Sequence, residues 1–152
     1  MAAGASSSLI VATEEALDTA MDYESVPAVG GALGSASVIV IDDSVSIPWL
    51  INKTIHFFKH ESCGKCTPCR EGTYWMMHLT ERIAERTAER TAERTASGDG
   101  VQEDVELLYD VASQIRGKCL CALGEFAIEA VSSGIDRFKE DFAVAVAKKD
   151  IA

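Results

Sequence analysis

Three cysteines within seven residues, Cys63-Gly64-Lys65-Cys66-Thr67-Pro68-Cys69, constrain this chain more than any other feature. The C-x2-C-x2-C spacing lets three thiolates wrap three corners of a cube, which suits a [4Fe–4S] cluster. Gly64 allows close backbone approach, and Pro68 pre-sets the chain to enter a helix beginning near Arg70. Amides at that helix start would face an anionic cluster, and Lys65 and Arg70 lie beside the run to offset its charge. The opening stretch lacks a positively charged region and its apolar run is short, unlike a signal or transit peptide. The longest aliphatic run, Val38 to Ile41, is far below the ~18 residues of a membrane helix. The expectation is a cytoplasmic chain without direct membrane insertion, whose clustered thiols serve a metal or redox role rather than a disulfide framework.

A cluster needs a fourth ligand. The bacterial two-cluster ferredoxin pattern would place it at position 73, which is Thr73 here. Cys119 and Cys121 are the available choices, both at the end of a later helix. An outgoing helix of about 27 residues spans roughly 40 Å, and a shorter return helix plus extended connectors can cover that distance. Zinc is a competing occupant, but it usually takes two separated cysteine pairs, and here one cysteine of the run would be surplus. A Cys-x-x-Cys dithiol site is a further alternative, without the βαβ context that normally accompanies it. A zinc-stapled helical interaction module is therefore the alternative to an electron-carrying one.

The charge distribution divides the chain. Its formal charge is −10, which argues against a nucleic-acid partner. Seven acids and no Lys or Arg fall in residues 1–45, so a boundary is expected there. Before it, Ser37 to Ile41 reads as a buried strand preceded by glycines. After it the pattern is helical: Ser46 caps a helix carrying Ile47, Ile51, Ile55 and Phe58. A second helix is predicted over 70–96, with Trp75, Met76, Leu79 and Ile83 on its apolar side. A third is predicted over 101–116, with Val101, Val105, Leu108, Ala112 and Ile115. Two shorter ones follow over 123–132 and 135–148. The fold class is mainly α, a helical bundle.

The second helix carries one Glu-Arg-Ile-Ala and three Glu-Arg-Thr-Ala units between Glu81 and Ala96. Arg82–Glu85, Arg86–Glu89 and Arg90–Glu93 can pair across a turn, so the repeat reads as a solvated helix extension with little core to offer. His56, His60 and His78 read as structural.

The stretch from Phe57 to Thr73, containing Glu61-Ser62-Cys63-Gly64-Lys65-Cys66-Thr67-Pro68-Cys69-Arg70-Glu71-Gly72, resembles the cluster motif of the NADH-binding flavoprotein (F) subunit of NADH:quinone oxidoreductase, respiratory complex I. Cys121-Ala122-Leu123-Gly124-Glu125 resembles the segment supplying that family's fourth ligand. The resemblance thus implies Cys63, Cys66, Cys69 and Cys121 as the cluster ligands, with Cys119 spare. Asp22 to Ser25 and Gly31 to Val40 resemble the tail of the family's β-grasp domain, so residues 1–45 are expected to be its remnant and residues 46–152 the helical cluster domain. Related subunits occur in NAD-linked hydrogenases and formate dehydrogenases. The family implies electron transfer from flavin to a further iron–sulfur centre, with other subunits of an NADH-oxidising complex, including iron–sulfur subunits, as partners. FMN and NADH are expected in the family's N-terminal part, whose Gly-rich motif has no match here. The Glu-Arg-Thr-Ala repeat and Ala36-Ser37, which stand where glycines are common, are departures from the family pattern.

Overall fold

The computed structural model describes residues 6–91 and 102–146, without the side chains of 85–91 and 102. Its described part is mainly helical: α1 (Glu14–Asp18), α2 (Ser25–Ala28), α3 (Ile47–Glu61), α4 (Thr67–Thr91), α5 (Gln102–Ile115), α6 (Leu123–Arg137) and α7 (Lys139–Val146). Helix α3 starts where the Ser46 hydroxyl accepts from the Trp49 amide, with Pro48 in the first turn, where its missing N–H costs nothing. From there α3, α4, α5 and α6 pack as successive neighbours, α3 also meets α6, and α7 lies against α4. Ile51 and Ile55 of α3, Met76 and Ile83 of α4, Leu108 and Ile115 of α5, and Ile128 and Val131 of α6 share one almost fully buried core. Burying each such side chain contributes about 1.5–3 kcal/mol, which makes this core the dominant stabilising feature.

The structure corrects several expectations. Helix α4 begins at Thr67 rather than near Arg70. Trp75, expected on its apolar side, is 57% exposed, because the buried stripe runs through Met76, Leu79 and Ile83 instead. Helix α6 continues through Gly134 and stops only at Phe138. That glycine is a packing device rather than a helix break, since a Cβ there would lie 2.3 Å from Ile51 Cδ1. Arg82 pairs with Asp104 of α5, tying α4 to α5 beside the last core layer of Ile83 and Val105. The repeat pairs involving Glu85 and later side chains lie outside the described residues.

The N-terminal part also departs from its reading. Val38, Ile39 and Val40 are 45–79% exposed, and only isolated bridge positions occur, at Leu9 and Ile39. An isolated β pairing is marginal without further strands beside it, and none occurs among the described residues. Ser37 to Val40 is therefore exposed and Ile41 half-buried against the core, so the segment is not a buried strand. Residues 8 and 9 instead lie along one face of α6, at positions 129, 133 and 137. The Leu9 amide donates to Ser133 Oγ (2.8 Å), the Ser8 hydroxyl donates to Glu129 Oε2 (2.9 Å), and Arg137 donates to the carbonyls of Leu9 and Gly30. Ala36 adopts a φ of +58°, in the left-handed region. An L side chain costs roughly 1–2 kcal/mol there, which is why a glycine would be at ease in this turn.

Candidate metal centre

Two short connections meet at one end of the bundle. In the first, α3 stops at Glu61 and Ser62 turns the chain with extended backbone (φ −65°, ψ 121°). Gly64 follows at φ +72°, a conformation that favours glycine. Cys66 then stands immediately before α4 and accepts the Arg70 amide on its carbonyl (3.0 Å). This puts Cys66 and Cys69 on either side of the helix's first residues, and Cys63 in the preceding turn. Arg70 braces the turn by donating from Nη1 to the Gly64 carbonyl (2.9 Å), while its Nε reaches Glu71 (2.7 Å). Both partners of that ion pair are half-exposed, so it contributes little stability.

In the second connection, α5 ends at Ile115 and the chain turns at Gly117 (φ +70°), whose amide donates to Glu125 Oε1 (2.6 Å). Cys119 and Cys121 lie in the turn leading to α6. One glycine brings this turn against the helix that carries the cysteine run, and another seats Cys119 on α6. A Cβ on Gly72 would lie 2.5 Å from Ile115 Cδ1, so the last turn of α5 seats directly on the second turn of α4. A Cβ on Gly124 would lie 2.3 Å from Cys119 Sγ, so Cys119 packs onto α6 and against the core. The closure expected from helix lengths thus uses the start of α4 and the end of α5, at the opposite end of α4 from the repeat.

The five cysteines differ in surroundings. Cys63 and Cys121 are exposed, Cys66 and Cys119 half-buried, and Cys69 buried. The Leu120 backbone amide, aided by the Cys69 amide and the Cys119 thiol, lowers the Cys66 thiol below its ordinary value. Burial raises Cys69, opposed by the Ser62 hydroxyl and reinforced by the neighbouring sulfurs of Cys66, Cys121 and Cys63. Burial pushes Cys119 highest, to about 12, with Cys66 adding to the effect. Donors aimed at sulfur and a set of thiols within electrostatic reach of one another fit an anionic iron–sulfur cluster. Among the described residues, no group of three His, Cys, Asp or Glu side chains stands arranged for a single metal ion.

Other singled-out residues serve the frame. Thr73, at the ferredoxin ligand position, is fully buried and donates its hydroxyl to the Cys69 carbonyl (2.7 Å). Glu81 meets both His56 Nε2 and His78 Nδ1 at 3.0 Å, linking α3 to α4, while His60 is exposed. Ser62 is a site residue that cysteine spacing alone does not single out. Its hydroxyl lies 3.3 Å from Cys69 Sγ. A hydroxyl directly before the first cysteine of the run was the available signal.

No described helix is long and apolar enough to cross a membrane. Residues 49–145 match the profile of the NADH-ubiquinone oxidoreductase-F iron-sulfur binding region. The chain is 38% identical over 136 residues to the F subunit of the NADH-quinone oxidoreductase of Mycobacterium tuberculosis, covering 90% of this chain and 28% of that protein. It is likewise 38% identical over 130 residues to the counterpart in Streptomyces coelicolor, covering 86% of this chain and 26% of that one. Its fold is similar to a chain of an NAD+-reducing [NiFe]-hydrogenase crystallised in the H2-reduced state, with a TM-score of 0.77 and 28% identity over 99% of this chain and 23% of the other. The chain thus spans little more than a quarter of the length of these curated relatives.

Proposed function

Since the chain belongs to the family of the NADH-ubiquinone oxidoreductase-F iron-sulfur binding region, we propose that it is a one-electron carrier module of an NADH-oxidising complex, with Cys63, Cys66, Cys69 and Cys121 as the ligands of a [4Fe–4S] cluster. The chemistry the cluster supplies is one-electron carriage between a flavin reduced by NADH and a further iron–sulfur centre. The protein's own contribution is to hold the ligands in place, supply hydrogen-bond donors to their sulfurs, and bury one side of the site. The observation that carries this reading is the meeting of the Cys63–Cys69 run with the 119–121 turn, through the Gly72–Ile115 contact and the Leu120 amide beside Cys66.

FMN and NADH are assigned to the part of such a subunit that the chain's match does not span. In the same reading residues 1–45 are the tail of a β-grasp domain, residues 46–152 are the cluster domain, and the partners are other subunits of the complex, including iron–sulfur subunits. The clustered thiols suit the reducing cytoplasm, at the periphery of any membrane-bound partner. A stoichiometric titration tests the function: the anaerobic chain should take up one electron from dithionite and show no reduction by NADH alone. Direct reduction by NADH, with stoichiometric flavin bound to this chain, would overturn it.

A further inference from the structure

Cys69 is the most buried of the five cysteines, 5% exposed, and Ser62 is the side chain that hydrogen-bonds its sulfur. The Oγ to Sγ separation is 3.3 Å. The Gly64 amide donates to the same hydroxyl oxygen at 3.3 Å, which occupies a lone pair and leaves the Ser62 hydrogen to be given away. A sulfur that ligates iron carries no proton, so in the loaded site the hydroxyl is necessarily the donor. Three features fix this geometry. Ser62 closes α3 in an extended conformation, Gly64 holds φ +72°, and Arg70 pins the Gly64 carbonyl. The bond also sits where water competes least, since Cys63 and Cys121 face solvent while Cys69 does not.

We propose that Ser62 is a positioning residue that sets the reduction potential of the cluster, by donating its hydroxyl to the Cys69 sulfur. This rests on the cluster reading above. A hydrogen bond to a ligand sulfur withdraws electron density and stabilises the reduced state more than the oxidised one, so it raises the potential. Thr73, which binds the Cys69 carbonyl rather than its sulfur, provides the contrast.

The test compares parent, Ser62→Ala and Ser62→Thr chains, each reconstituted anaerobically, assayed for iron and sulfide, and titrated through the potential range by optical absorption. Ser62→Ala should load iron and sulfide like the parent but show a lower midpoint potential. Ser62→Thr, which keeps the hydroxyl, should return the potential toward the parent value. An unshifted potential in a loaded Ser62→Ala chain would overturn the proposal. So would failure of Ser62→Ala to load while Ser62→Thr loads normally, because the hydroxyl would then serve assembly rather than potential. A parent chain that takes up no cluster would refute the underlying cluster reading instead.

Discussion

Cys121→Ser should lower the iron and sulfide retained after anaerobic reconstitution by more than about tenfold, while Cys119→Ser should leave both near the parent level. Losing a ligand removes a metal–sulfur bond outright, and even losing a hydrogen-bond partner of a ligand typically costs roughly 10–100-fold in metal affinity. The two cysteines are separated only by Leu120, yet their surroundings diverge. Cys119 is turned onto Gly124 and packed against the core, where burial raises its thiol above the ordinary value. Cys121 is exposed at the turn, and its charge is felt at Cys69. A serine at either position is small enough for the turn, so the comparison separates ligation from packing. The reverse outcome, loss at 119 and retention at 121, would exchange their roles.

Gly72→Val should damage stability and the cluster site together. The closest atoms to a Cβ there are Ile115 Cδ1 and Cγ1, at 2.5 and 2.6 Å, and Ile115 is itself almost fully buried. Overpacking of this kind costs about 1–3 kcal/mol. A β-branched side chain has further χ1 restriction in a helix and cannot turn away. Because Ile115 is the last residue of α5, the displacement should pass directly into the turn bearing Cys119 and Cys121. Two losses are expected: a lower denaturation midpoint and weaker cluster retention. Gly72→Ala is the graded control. Its helix-propensity gain of up to ~1 kcal/mol opposes the clash, and the Ile115 side chain can shift for one methyl group. Pairing Gly72→Val with Ile115→Ala should recover part of the cluster retention. A Gly72→Val chain that is as stable as the parent and loads fully would show that this contact does not position the fourth ligand.

The parts legible in the sequence were those written in periodicity or in fixed spacing. The stripe of Ile47, Ile51, Ile55 and Phe58 placed α3 because each third or fourth residue had to be apolar to reach the core. Val105, Leu108, Ala112 and Ile115 did the same for α5. The cysteine run was legible because few chemistries need three thiolates at that spacing. What escaped was set by partners distant in sequence. Gly134 looks like a helix break until Ile51, on another helix, is seen to fill the space where its side chain would be. Trp75 is apolar yet exposed, and composition cannot tell which side of α4 it occupies. The segment from Val38 to Ile41 has strand composition, but strand burial depends on neighbours that the described residues do not supply. The choice between Cys119 and Cys121 is invisible to spacing, since both fall in one short turn. Ser62 was passed over because a hydroxyl before a cysteine has no periodicity and acquires its role only from the turn at Gly64.

Metal and acid-labile sulfide analysis of the anaerobically purified chain bears most directly on the cluster. Iron and sulfide in equal amounts, about four of each per chain, are expected for a [4Fe–4S] centre held by four thiolates. Zinc bound without sulfide would contradict that assignment and make the helical domain a metal-stapled interaction module instead.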